Sequence, residues 1–554
     1  MISSVAGLLL AATFARQDLP DLRLVLTPHA TAGVVDYLDV TLTIGRPGLD
    51  SGATLLHMPL VVASIPTPRY DGDAVQARDA TGPLPLTQAD DPPMMSLVFR
   101  RWIAARATSG DVVVTFRAPM RAVSADTRPG PLFDLRAEAE GLNGAGLAFL
   151  ALPGVDVRYH ITVHWDLSGL PAGSLGVWSL GEGDVSTTGR ADLLGNTYYA
   201  AGPMHVSGPM YWFGTPPFDA TLVAGNIARF FGFVSRFFQD SGGSYRVFVR
   251  KNPYRSGGGT TLLRSFMFGY SDAVVPTPDE LHALLAHEMV HNWPAMEGED
   301  ESSTSWYSEG AADYYSMLLS WRAGVYDTRH FLAEINRHAS AYYTNPLQRL
   351  SNDAAAERYW SDSRAQRVPY GRGFLYLTRV DAAVRASSHG KRNLDDLVLE
   401  MLRRRRHGQA YDLSEWLELV TRELGHGAKA ELDSMAAGAT LPMAPGSFGP
   451  CFRAEPFQER VFELGFEHTS LEGSDRHIRG LVPGSEAAKS GVREGDAVIG
   501  SVSVANAADD PAKTLRLQLA RGSDTVTVTY LPRGAMVPSW HWIRTSVPDR
   551  GCKP

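Results

Sequence analysis

Cysteine is nearly absent: 554 residues contain two, Cys451 and Cys552. Two thiols cannot build a cysteine-rich zinc site, so a transition metal here has to rest on histidine and carboxylate. The pair fits one disulfide in the C-terminal region and two separate buried thiols equally well. Long apolar runs are also missing, and no segment reads as transmembrane. The opening stretch "MISSVAGLLLAATFARQ" is short and lacks a basic start, but it runs into the small-x-small pattern of Thr13, Phe14 and Ala15. It reads as an export signal over 1–17, leading to the periplasm or the exterior, or as a core segment of a cytoplasmic protein. Excess positive charge is missing too. The net charge is −8 with no basic stripe, which argues against nucleic acid as a main partner. The one basic cluster, "RRRRH" from Arg403 to His407, ends a helical pattern, where cations complement the helix dipole. Internal repeats and low-complexity segments are absent.

What the chain does contain is enough for several cores. Its length exceeds what one core organises, and 44% hydrophobic content is ordinary for globular domains. The character of the text changes along the chain, giving a multidomain α+β protein. Residues 18–204 carry β-rich runs such as "YLDVTLTI" and "VRYHITVHWDL", separated by Pro, Gly and Asp clusters; a β-sandwich-like domain is predicted. Residues 205–445 turn mainly helical, as in "PDELHALLAHEMVHNW", "GRGFLYLTRVDAAVRA" and "DLSEWLELVTRELG", with a short β element in front. After "LPMAPGSFGP", residues 446–535 return to short strands and turns, and 536–554 form a tail.

The run "LLAHEMVHNW", residues 284–293, is where chemistry is concentrated. On a helix His287 and His291 project from one face a turn apart, so a single cation can bridge both imidazoles. His-Glu-x-x-His is the spacing in which two histidines bind zinc and the glutamate, here Glu288, acts as general base. Catalytic zinc takes three protein ligands and keeps one position open, so one ligand remains to be found. Downstream lies "SWYSEGAADYYSMLL". On a second helix Glu309 falls in the first turn and can reach the metal. Asp313, four residues on, shares its face and can accept the free ring N–H of one histidine. The plainer alternative is a Glu309 favoured by the helix dipole, with Asp313 exposed.

Together with the C-terminal segments, "HEMVHNW" and "WYSEGAADYY" resemble the glycyl aminopeptidase family of zinc metallopeptidases, within the thermolysin-like gluzincins. The resemblance spans about 205–530 and reaches the N-terminal β region more loosely. It implies a thermolysin-like catalytic domain over 205–445 and one zinc per chain on His287, His291 and Glu309. It further implies Glu288 as general base in peptide-bond hydrolysis. The family's Tyr-x-x-Gly element matches Tyr370 and Gly373 in "VPYGRGF", implying that Tyr370 stabilises the tetrahedral intermediate. A tyrosine that simply starts a helix is the alternative.

One departure bears on substrate class. The family carries Gly-Gly-Leu-Glu-His upstream, whose glutamate is suited to a substrate's free α-amine. Here "SGGGTTLLRSFMFGYS" keeps Gly258 and Gly259 for close backbone approach to substrate, but no glutamate follows and Arg264 lies nearby. A substitute acid among Glu297, Glu299 and Glu301 is possible in principle, although "EGEDE" reads more simply as a solvated loop.

At the C-terminus "ELGFEH" and "VPGSEAAKSGVREGDAVIGSVS" resemble a PDZ domain. The resemblance implies a peptide groove lined by Leu464, Gly465 and Phe466, whose partner is a C-terminal peptide adding as a strand. A small β domain that only packs on the catalytic unit is the alternative. Two functions follow: a zinc peptidase, aminopeptidase or endopeptidase, acting on peptides; and a catalytically idle PDZ-type binding protein on a peptidase fold.

Overall fold

The structure is a computed structural model that describes residues 19–62, 65–92, 98–127, 130–240, 243–254, 257–272, 275–298, 301–359, 362–471, 476–500, 502 and 504–552. The candidate leader 1–17 and Glu299 lie outside these residues, as does the side chain of Glu301. The chain divides into two compact units: 1–206 with 211–216 and 246–271, and 207–210 with 217–245 and 272–554.

The first unit is built on period-two sequence. In the strand Asp21–Thr31 alternate residues Leu22, Leu24 and Leu26 are buried while their neighbours are not. It pairs antiparallel with Val34–Ile44 and parallel with Arg158–Trp165 inside a seven-stranded sheet. Leu56, Met58 and Trp102 from a second sheet join those leucines in one apolar core. Packed sheets thus form where the sequence predicts a β-sandwich.

The strands Arg246–Lys251, Gly258–Leu262 and Ser265–Tyr270, from the segment assigned by sequence to the peptidase domain, belong to this first unit. Phe248 and Met267 pack with Leu132, Val177 and Tyr198. Buried Arg250 is bound at 2.6 Å by Asp134, which also takes Arg136 at 2.5 Å. A buried charge trio of this kind holds only while every member is paired.

Helices dominate the second unit: α1 Ala220–Phe237, α2 Pro278–Val290, α3 Glu301–Arg322, α4 Thr328–Tyr343, α5 Val368–Ser387, α6 Leu394–Arg406 and α7 Leu413–Leu424. α2 opens with a capping box, Thr277 and Glu280 exchanging side-chain and backbone bonds, with Pro278 at its first position. The basic cluster ends α6 as the sequence predicts. Arg403 and Arg404 bind Glu400, and Arg406 donates to the Phe238 carbonyl.

The pair α3 and α5 meet at two glycines. A Cβ on Gly373 would lie 1.7 Å from the Trp306 carbonyl oxygen, and one on Gly310 would lie 2.4 Å from the Gly373 backbone. Only hydrogen at both positions allows this approach.

Beyond these helices, the long strands Phe452–Phe462 and Arg533–Arg544 form an antiparallel ribbon, so residues 536–544 of the predicted tail are strand. A disulfide joins Cys451 to Cys552 at the ribbon's base, which settles the pairing that sequence left open. Between the two strands sits a small module. Its three-stranded sheet and the helix α8, Val504–Asp509, enclose a core that includes Leu464, Phe466, Ile478, Leu517 and Val528. Leu464 and Phe466 are buried in that core. Gly465 sits at φ +82°, against Ser485, and its carbonyl accepts from Val482 N–H at 2.7 Å. The segment that follows, His468–Leu471, is a 3-10 turn. Among the described residues no helix is long and apolar enough to cross a membrane.

Candidate metal centre

Near its C-terminal end α2 carries His287, and His291 caps the helix in αR conformation, which keeps the one-turn offset between the rings. Facing them, α3 presents Glu309 and Asp313, also a turn apart. Glu309 lies well inside this helix, because α3 begins at Glu301. The sequence-based placement in a first turn is therefore corrected, and with it goes the dipole explanation: the N-terminal effect fades within one turn.

The three candidate ligand atoms form a small triangle. His291 Nε2 is 3.2 Å from His287 Nε2, His287 Nε2 is 3.3 Å from Glu309 Oε2, and His291 Nε2 is 3.4 Å from the same oxygen. Tetrahedral zinc with bonds of about 2.0–2.1 Å to nitrogen or oxygen places neighbouring donors about 3.3 Å apart. The triangle therefore matches one face of a zinc tetrahedron, and the donor set is the histidine and carboxylate chemistry that zinc takes. The described residues contain one such group of close histidine and acidic donors.

Asp313 completes the set from behind. Its Oδ1 is 2.8 Å from His287 Nδ1, and because a carboxylate only accepts, it fixes the proton on Nδ1 and leaves Nε2 as the donor atom of a neutral ring. Electrostatics favour positive charge at this point. Burial works against a charged His287, but Asp313 and Glu309 outweigh it and push the imidazole up to about 10. Burial likewise opposes ionisation of Glu309, yet the two histidines draw its carboxyl down to about 2. Asp313 is held below the usual carboxylate range against its own burial by His338 and His287. A proton and a divalent cation thus compete for the same place.

Glu288, half-buried, follows His287 on α2. Tyr370 stands in the first turn of α5 with its ring stacked on His287, centroids 5.7 Å apart and planes 11° from parallel. Its hydroxyl is 3.4 Å from that of Tyr359, and burial and the Glu309 charge hold the phenol well above its usual value. The glycine pair Gly310 and Gly373 sets α5, which carries Tyr370, directly against α3.

Gly258 and Gly259 belong to the first unit, on the edge strand Gly258–Leu262. A Cβ on Gly259 would meet the Phe266 ring at 2.0 Å, so sheet packing already requires that glycine, while Gly258, with open space around it, is favoured by its backbone at φ +120°. Arg264 sits in the turn after this strand at φ +55°. Glu297 is exposed, as the solvated-loop reading has it.

Sequence reasoning missed His338, whose Nε2 is 3.6 Å from Asp313 Oδ1, and Tyr359 and Arg367 beside Tyr370. Only Arg367 had a local signal, standing three residues before Tyr370.

Two facing helices carrying a His-His-Glu triangle and a carboxylate behind it give this chain a candidate metal centre. The comparison with solved structures agrees on architecture. The fold matches the crystal structure of an aminopeptidase N family protein from Idiomarina loihiensis with a TM-score of 0.62 at 15% identity, covering 96% of this chain and 99% of that one. It is also similar, more distantly, to the M1 zinc metallopeptidase of Deinococcus radiodurans (TM-score 0.44, 18% identity, 77% of this chain and 95% of that one). A further likeness is to leukotriene A4 hydrolase of Saccharomyces cerevisiae (TM-score 0.46, 15% identity, 77% and 69%). No protein-family profile and no curated protein matches the sequence.

Proposed function

We propose that the chain is a zinc-dependent peptidase, with the zinc held by His287, His291 and Glu309. The observation that carries this reading is the donor triangle of 3.2 to 3.4 Å, backed by Asp313 on His287. When bound, zinc supplies a Lewis acid that acidifies water and polarises a carbonyl. Glu288 takes the proton as the water oxygen adds to the peptide carbonyl carbon. The same carboxyl then gives that proton to the amine nitrogen as the carbon–nitrogen bond breaks. Tyr370 donates its hydroxyl hydrogen to the carbonyl oxygen as negative charge develops there, and its high pKa keeps that proton in place.

The glycyl aminopeptidase subfamily, a PDZ-type capture of peptide C-termini by the turn at Gly465, and export belong to this reading as proposals. So does tolerance of substrates with a blocked N-terminus, motivated by the missing glutamate after Gly259. An idle binding protein has no use for an intact His-His-Glu set with its general base.

Metal analysis and turnover test the assignment together. His291→Ala is expected to lose most of its zinc, and full stoichiometric zinc in that variant would overturn the ligand set. Glu288→Gln is nearly isosteric and outside the ligand set, so zinc stays while kcat falls by about 10²-fold or more. Wild-type kcat would assign the base elsewhere.

A further inference from the structure

Tyr370 is held on a third side by a group that the C-terminal module supplies indirectly. The Arg367 guanidinium lies over the Tyr370 ring, 5.1 Å from its centroid, and its Nη2 is 3.3 Å from Asp509 Oδ2. Arg367 precedes the first residue of α5, whereas Asp509 ends α8 of the module. The ribbon strand Phe452–Phe462 that leads into the module is itself tied to the end of α4. Phe462 N–H donates to the Thr344 carbonyl at 2.8 Å, and Ser340 Oγ donates to Glu459 at 2.9 Å. Between them remains a cavity of about 10 Å³, lined by Ala341, Pro346, Phe462, Ala508, Asp509 and Arg367, room for about one water.

We propose that Arg367 is a positioning residue for Tyr370 and that Asp509 holds Arg367 in place, so that the C-terminal module completes the catalytic site. The proposal rests on the reading of Tyr370 as the donor to the developing oxyanion. An arginine side chain that is 43% exposed has many rotamers open to it, and a carboxylate on a packed helix selects one. In that rotamer the cation is attracted to the ring face of Tyr370, the ring that also stacks on His287. Positive charge beside the phenol also strengthens its hydroxyl as a hydrogen-bond donor, and a donor must be pre-aimed to act on a transition state. Whatever moves α8 releases Arg367.

A double-mutant cycle on the full chain, with zinc content and melting temperature measured for each variant, tests this. Arg367→Met is expected to lower kcat by about tenfold with KM within about twofold and zinc unchanged. Asp509→Asn should act in the same direction by about threefold, and it keeps the test available if Arg367→Met does not fold. Tyr370→Phe should cost about 10²-fold, and adding Arg367→Met to it should cost nothing more, because the arginine acts through the phenol. The exchanged pair, Arg367→Asp with Asp509→Arg, should regain the melting temperature but not kcat, since a carboxylate then faces the ring. Independent losses in the double variant, or recovery of kcat in the exchanged pair, would overturn the positioning role and leave Tyr370 as oxyanion donor. A wild-type kcat in Tyr370→Phe would overturn both.

Discussion

Gly373 shows how much of this centre depends on an atom that is missing. Tyr370 can stack on His287 only because α5 runs against α3 with no side chain at Gly373 or Gly310. A methyl group at Gly373 meets the Trp306 carbonyl oxygen, which is backbone and cannot rotate away, so the two helices must separate. Overpacking of this sort costs about 1–3 kcal/mol. A shift of about 1 Å in a catalytic group costs up to about 10²-fold in rate. Gly373→Ala is therefore expected to retain zinc, melt several degrees lower and lose about 10²-fold in kcat, read by thermal denaturation and peptide turnover. Wild-type values in both would show that the close approach is dispensable.

At this scale the sequence was most legible where one helical turn sets the geometry. His287 with His291, and Glu309 with Asp313, are each a four-residue step, and each pair does share a face. Fixed spacing carries no such message for His338 or Asp509, because their positions depend on how α4 and α8 dock.

Among elements, the gain from structure is largest for α3 and for the glycine strand. Polar, serine-rich sequence before Trp306 hides the first turns of α3, which is why Glu309 reads as a helix start although it lies in the interior. The glycines of the strand Gly258–Leu262 suggest a substrate edge in the sequence, yet the packing of Gly259 on Phe266 already explains that glycine. No carboxylate follows it to meet a free amine. A buried ammonium without such a partner costs several kcal/mol, so a site lacking one should not demand it. N-acetylation of a good peptide substrate is accordingly expected to change kcat/KM by less than about tenfold, or about 1.4 kcal/mol. Products identified by mass from the free and acetylated peptide check this. Abolition of cleavage by the acetyl group would restore strict aminopeptidase action and point to an acid elsewhere.

Over the whole molecule, the order of β, α and β regions was legible because each has its own hydrophobic period. The grouping was not. Residues 246–271 follow a helix and precede another in the chain, but their apolar faces and Arg250 are satisfied within the first unit. Such a choice of partner is tertiary and leaves no local mark. The two cysteines were likewise legible as a pair, while their union depended on the ribbon that brings both ends to one place.

That ribbon makes the C-terminal module a detachable cassette. The chain enters it at Phe462 and leaves at Arg533, and these two residues face each other across the strands, with the clasp of Cys451 and Cys552 at the opposite end. Asn336 grips the ribbon itself through both directions of a backbone pair with Trp542, at 2.7 and 2.9 Å, independently of anything between the strands. Residues 463–532 can therefore be exchanged for an Asn-Gly turn, the two-residue closure suited to a hairpin. The shortened chain is expected to fold and keep its zinc, and to show the kcat of Asp509→Asn or lower, by metal analysis and turnover. Loss of zinc would mean that the cassette holds up the helices themselves. With zinc kept, the same port would accept foreign binding domains, and those that return an acid to Arg367 would return the rate.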